Sequence, residues 1–240
     1  MKLKLLKPSM RIIYRISDTG YSKVKPKYIN NENCLKNFCN IFFDHIHSIN
    51  IIADNCSEDT LKMIQKYIDP INIHKTTEGS GAQTFNIALD KALKYDDEEI
   101  VYFIENDYLH KPGSEQIIKE GLNLGASFVS LYDHPDKYID PSRGGNKYCE
   151  GGAESTRVYL TQSSHWKITN STTMTFAAKV KTLREVEPIL RKHTTGTYPR
   201  DFDMFLELRE NNRILISSIP GYATHGETAW LTPLTDWSKI

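Results

Sequence analysis

No stretch of about 18 uncharged apolar residues occurs anywhere in this chain, so no membrane-spanning helix is expected. The cysteines are few. Cys34, Cys39, Cys56 and Cys149 are irregularly spaced and form no Cys-x-x-Cys pair, so a structural zinc site is not expected and a reduced, intracellular setting is. A surplus of either charge is lacking too: 30 Lys plus Arg balance 30 Asp plus Glu, leaving no global field to draw in nucleic acid or an anionic membrane. Met1–Pro8 carries charge but no apolar run of signal-peptide length, which points to a soluble, cytoplasmic protein. There is no internal repeat, no domain-cutting linker, no dinucleotide fingerprint and no Walker loop. The 240 residues therefore read as a single domain, 1–240, long enough to bury a real core.

What is present is an alternation of strand-like and helix-like segments. Strands are expected over 11–17, 49–53, 71–74, 100–104 and 128–131, with helical patterns over 34–46, from Ser57 onward, around Phe85–Leu93 and over 115–124. Ile100–Ile104 is apolar on both faces, as a central strand covered by helices on each side should be. After a long Pro- and Gly-rich loop, 134–155, further strands are expected over 157–161, 173–178 and 214–217, and helices over 181–191 and 201–210. A loop of that length inside a compact domain is usually functional or mobile. The pattern predicts an α/β fold with a mostly parallel central sheet flanked by helices.

In such sheets ligands bind beyond the carboxyl ends of the parallel strands. Arg15, Ser17 and Asp18, then Asp54, then Ser80 and Gly81, then Glu105-Asn106-Asp107 fall there. That edge is acidic, so an anionic diphosphate would need a divalent cation beside it. Glu105 and Asp107 point the same way if the strand continues through them, which suits Mg²⁺ or Mn²⁺ shared with substrate phosphates. Turns and helix caps also favour such residues, so each is compatible with a purely structural role. The 13 tyrosines allow for sugar or base contacts but also for ordinary half-buried packing.

The order of these features resembles the GT-A (Rossmann-like) glycosyltransferases: a first strand, Asp54 after the second, a Gly-containing turn followed by Asn86, then an apolar strand ending in Glu105-Asn106-Asp107. The inverting family 2 nucleotide-sugar enzymes are the nearest likeness, over residues 10–110. This resemblance implies a donor half (about 10–110) and an acceptor and catalytic half (about 111–240). It implies that Arg15, Ser17, Asp18, Asp54, Ser80, Gly81, Asn86 and Asn106 contact a nucleoside diphosphate sugar, UDP-linked. Asp107, Glu105 and His225 would then hold Mn²⁺ or Mg²⁺, although the family's usual first acid is Asp and here it is Glu105. The segment Tyr198–Phe205 is similar to the family's Glu-Asp segment, which makes Asp201, or else Asp203, the catalytic base; both also suit a helix first turn. Trp166, with His165 and Trp230, would offer an acceptor platform for a carbohydrate or glycoconjugate. A base reading makes transfer inverting, while retention also occurs on such scaffolds. Two rivals share the pattern: a sugar nucleotidyltransferase and a non-catalytic nucleotide- or carbohydrate-binding module.

Overall fold

The computed structural model describes residues 10–19 and 23–240. The sequence features at Met1–Pro8, Gly20 and Tyr21 lie outside them. Nine strands form one sheet, and its first half is a run of parallel β-α units. These are β1 (Met10–Ser17), α1 (Asn31–Ile41), β2 (Ile49–Asp54), α2 (Glu58–Gln65), β3 (Ile73–Thr76), α3 (Gly81–Ala92) and β4 (Ile100–Glu105). The second half adds β5 (Tyr108–His110), α4 (Ser114–Asn123), β6 (Phe128–Ser130), β7 (Val158–Leu160), β8 (His165–Ile168) and β9 (Phe176–Lys179). It ends with α5 (Val180–Lys192), α6 (Asp201–Glu210), β10 (Leu215–Ile219) and β11 (Ala223–His225).

The sheet order is β3-β2-β1-β4-β9-β6-β10-β8-β7. Only β9 and β8 run against the rest, so the sheet is mostly parallel in direction, as expected. β11 and β5 form a separate antiparallel pair that places His225 opposite Tyr108.

Alternation along β1 sorts the core into two layers. Ile12, Tyr14 and Ile16 join Leu35, Phe38, Leu61 and Ile117 on the face covered by α1, α2 and α4. Ile13 joins Phe85, Leu89, Leu183 and Phe205 on the face covered by α3, α5 and α6. Both layers are dry, so β1 and β4 are buried on both sides, and their carboxyl ends emerge together at one rim.

Several boundaries differ from the sequence reading, and for two segments the cause is a capped turn. Asn30 caps α1 by accepting the Asn33 N–H, so the helix starts before Cys34; it then tightens after Ile41 into a 3₁₀ turn that leaves Phe43 exposed. Asp69 caps a second 3₁₀ turn, Pro70–Asn72, which delays β3 to Ile73 and leaves Ile71 at the surface. β5, β8 and β11, of three or four residues each, went unforeseen; β5 and β8 include the polar residues His110, His165 and Lys167 and β11 reads Ala-Thr-His, so no apolar run marks any of them.

The largest correction concerns Trp166. It sits in β8 with none of its surface exposed, its indole N–H donating to the Thr161 hydroxyl at 3.0 Å. The ring fills the space over Gly121 of α4, where an added Cβ would stand 2.8 Å from it. It is a core residue and offers no face to an acceptor. His165 is exposed on the same strand, and Trp230 is half-buried against His134.

The loop 134–155 is built rather than loose. Lys137, almost fully buried, donates to Asn170 Oδ1 at 2.6 Å and Ser171 Oγ at 2.7 Å, while Glu154 accepts the Asn170 N–H at 2.6 Å. Beside it, Lys167 reaches Asp133 at 2.9 Å and lies over the Tyr138 ring. Trp166→Ala tests the packing assignment: it should lower unfolding free energy in urea by about 3–5 kcal/mol, the range for truncating a buried aromatic ring. A change within about 0.5 kcal/mol, as at a surface position, would return the ring to the exterior.

Candidate active site

A cleft of about 1150 Å³ opens at the carboxyl ends of β1, β2 and β4. It brings together all the expected site residues except Asn86, Asp203 and the three of the acceptor platform, His165, Trp166 and Trp230. Asn86 exchanges hydrogen bonds with Thr194, donating to its carbonyl and accepting from its hydroxyl, both at 2.9 Å. It therefore ties α3 to the end of α5 instead of facing the cleft. Asp203 is exposed on the outer side of α6.

The donor side of the cleft is shaped by two carboxylates engaged with backbone. Asp54 accepts the Gly79 N–H at 3.0 Å, fixing a turn in which Gly79 has a φ of 60°, a conformation glycine adopts without strain. Ser80 then caps α3, accepting the Gln83 N–H and donating to the Thr197 carbonyl at 2.8 Å. Asp18 accepts the Ser57 N–H and the Thr60 hydroxyl, each at 2.7 Å, and an Asn31 amide proton at 3.2 Å. Burial alone would raise its pKa, yet these donors outweigh it and hold the carboxyl below its ordinary value. Asp18 thus secures the start of α2 as well as lining the cleft.

Glu105 closes β4. One of its oxygens is 3.3 Å from the guanidinium of Arg15, a side chain only 6 % exposed that also donates to the Gly81 carbonyl at 3.0 Å. Burial lowers the Arg15 pKa, and the charge of Glu105 opposes that. Asn106 donates to the Ser17 carbonyl at 3.2 Å and also to Asn31, locking the turn to the end of β1.

Asp107 follows, and one oxygen meets both Lys25 Nζ at 2.8 Å and His225 Nε2 at 3.2 Å. Burial would raise its pKa, but His225 and Lys25 together hold it well below the usual carboxylate range. The β5–β11 pairing is what presents His225, and Gly226 lets the chain pass: a Cβ there would lie 2.8 Å from the Asp107 carbonyl.

Asp201 opens α6 on the opposite wall and accepts the Phe202 N–H at 2.7 Å. Burial, reinforced by the charge of Glu105, pushes its pKa up to about 6. A carboxyl tuned this far upward, toward neutrality, is suited to taking a proton. Lys23, Lys25 and Asn31 were missed by sequence reasoning. Lys23 and Lys25 lie in an irregular segment after β1, where neither periodicity nor a motif marks them.

No protein-family model matches the chain, and no curated protein sequence matches it. Solved structures do. GalNAc-T7 with UDP, GalNAc and Mn²⁺ superposes with a TM-score of 0.58 at 13% identity, over 93% of this chain and 45% of that one. TarS residues 1–349 of S. aureus match with TM-scores of 0.51 alone and 0.53 with UDP, at 13% and 14% identity. Each match covers 90% of this chain and 59% of that one. This chain has the GT-A fold.

It spans less than two thirds of either structure's length. Within the GT-A frame, the acidic turn after β4 lies where the parallel half of the sheet meets its antiparallel neighbour β9. Among the described residues no group of three or more His, Cys, Asp or Glu side chains is close enough to hold a metal alone. The donor set nevertheless fits a cation shared with substrate: Asp107 and His225 converge on one point, and Mg²⁺ commonly takes only one or two protein ligands besides phosphate oxygens. Glu105 is committed to Arg15 and Asp107 to Lys25 as well, so any cation here competes with two side-chain cations.

Asp201 carries a pH signature of known sign. Its folded pKa of about 6 lies above the 3.8 it regains on unfolding, so folding favours its neutral form. The contribution is complete below about pH 4 and is lost as pH rises through about 6. Asp201→Asn should therefore melt higher than wild type at neutral pH, with the difference vanishing near pH 4 in the same scanning calorimetry series. Equal melting temperatures at neutral pH would contradict this environment for Asp201.

Proposed function

We propose that this chain transfers a sugar from a nucleoside diphosphate sugar, UDP-linked, to an acceptor hydroxyl on a carbohydrate or glycoconjugate. The observation carrying this reading is that two unlike acids line one cleft: Asp107, held ionised beside His225, and Asp201, tuned upward to about 6. The likeness in fold to structures containing UDP supports it. Asp54 and the Gly79–Gly81 turn would take the nucleoside end, with backbone close to the ligand. Asp107 and His225 would hold Mn²⁺ or Mg²⁺, which when bound supplies Lewis-acid stabilisation to the departing diphosphate.

The chain's own residues do the rest. Arg15 keeps Glu105 neutralised, so the cleft's acidic wall does not repel the donor. Lys25, already at the Asp107 carboxylate, is placed to add positive charge beside the diphosphate. Asp201 takes the acceptor's hydroxyl proton as that oxygen attacks the anomeric carbon, and attack opposite the leaving diphosphate inverts that carbon.

Two variants separate the roles. Asp107→Ala should abolish the part of the UDP-induced thermal shift that depends on Mn²⁺; an undiminished Mn²⁺-dependent shift removes Asp107 from the cation site. Asp201→Asn should keep the UDP shift and lose transfer by a factor on the order of 10² or more, measured as nucleoside diphosphate released with acceptor present. Full transfer would move the base elsewhere, and release of pyrophosphate in place of nucleoside diphosphate would make the protein a nucleotidyltransferase.

A further inference from the structure

A second cavity, of about 420 Å³, lies outside the donor cleft between the loop 134–155 and α6. Tyr148, Asn170, Leu206, Arg209 and Glu210 line it, a size within the range of small-ligand sites. Its geometry follows from helix spacing. Phe202, Leu206 and the Arg209-Glu210 pair recur at four- and three-residue intervals, forming one stripe along α6. The residue before Phe202 is Asp201, so this stripe begins at the donor cleft and runs away from it.

The upper wall is aromatic and open. Tyr148 is 55 % exposed, and its ring lies nearly parallel to that of Phe202, 13° apart with centroids separated by 5.9 Å. The Lys147 ammonium rests over both rings, 4.7 Å from the Phe202 centroid and 5.3 Å from that of Tyr148. A half-exposed ring held flat against a second ring is more than core packing requires. It is also pre-positioned: the Tyr148 N–H donates to Asn146 Oδ1 at 3.1 Å, and that oxygen accepts from buried Asn170 at 2.9 Å.

We infer that this groove is the acceptor subsite and that its occupant is a neutral carbohydrate chain of more than one unit, an inference that rests on the sugar-transfer reading above. Flat rings offer the C–H face of a sugar a dispersion surface, while Asn170, Arg209 and Glu210 offer donors and acceptors to its hydroxyl edge. Arg209 and Glu210 offset each other at the far end and Lys147 adds a single positive charge by the rings, too little to select a polyanion and the wrong sign for a polycation. The stripe from Asp201 to Glu210 is about 13 Å long at 1.5 Å per residue, longer than one ring needs. A chain lying along it would present its terminal hydroxyl to Asp201.

The test uses an immobilised glycan array with the full chain, alongside melting curves with UDP and Mn²⁺. Wild type should retain at least one oligosaccharide class more strongly than its monosaccharide. Tyr148→Ala, and Leu206→Lys to block the groove, should each weaken retention about tenfold or more, equivalent to about 1.4 kcal/mol. Tyr159→Ala, an exposed tyrosine on β7, should leave it unchanged, and circular dichroism confirms folding of each variant. No retention by wild type, or retention indifferent to both groove variants, overturns the inference. A UDP shift with indifferent groove variants sinks the groove alone. Groove-dependent retention without any UDP shift keeps a carbohydrate site and sinks the donor reading.

Discussion

The neutralisation of an acidic sheet edge is the constraint on which the rest of this structure turns. The five carboxylates of Asp18, Asp54, Glu105, Asp107 and Asp201 share the lining of one cleft, where like charges disfavour one another's ionisation unless each is answered. Four are answered locally. Asp18 and Asp54 receive backbone N–H groups, Glu105 receives Arg15, and Asp107 receives Lys25 and His225. Asp201 is buried and stands in the field of Glu105, which together push its pKa up to about 6 although the Phe202 N–H of its own helix opposes the rise. The same edge thus yields four acids paired with donors or cations and one acid reluctant to ionise. No separate device is needed to make them differ.

This arrangement depends on pieces of structure too small to be read from periodicity. The pairing of β5 with β11 spans three residues on each strand, yet it sets His225 against Asp107 across more than a hundred residues of chain. Gly226 is the enabling residue. An added Cβ would collide with the Asp107 backbone and with Ile29, pushing apart the elements the pair must join. The positional logic of the sheet brings Glu105 to the cleft, whereas a separate two-stranded ladder between distant parts of the chain brings His225.

That division explains how much of the site the sequence disclosed. Ile100–Ile104 announced a doubly covered strand because burial on both faces leaves an unbroken apolar run, and the acids after it followed from strand-end geometry. Arg15 carried a weaker signal, a cation inside an otherwise apolar strand, and proved to be the partner of Glu105. Asn86 and Trp166 were misjudged for one reason: residue type suggested a ligand where tertiary packing supplied a protein partner, Thr194 for the amide and Gly121 for the indole. Lys25 could not be found, because its role comes from where an irregular segment happens to lie. Helical spacing placed Asp201 and Asp203 equally well. Only the depth of the cleft separated them.

The loop 134–155 shows a further consequence of how charge is handled. Its composition suggested mobility, but its own Lys137 is buried and donates to Asn170 and Ser171, and the neighbouring Lys167 is buried in an ion pair with Asp133. Burying an ammonium is costly, and removing one partner of such a pair typically costs about 3–5 kcal/mol because the other charge is stranded. A loop tethered that way cannot lift without exposing unpaired polar groups in sequence, so it behaves as part of the wall. The rings it carries are therefore held in place before any ligand arrives, and the entropy of ordering them is met during folding instead of binding. The acidic cleft, by contrast, has one cation that can be exchanged: Lys25 is partly exposed, so an incoming charge can displace or share it, whereas Arg15 is buried against Glu105. One side of the molecule is rigid by buried charge, and the other keeps an adaptable charge where Lys25 meets solvent.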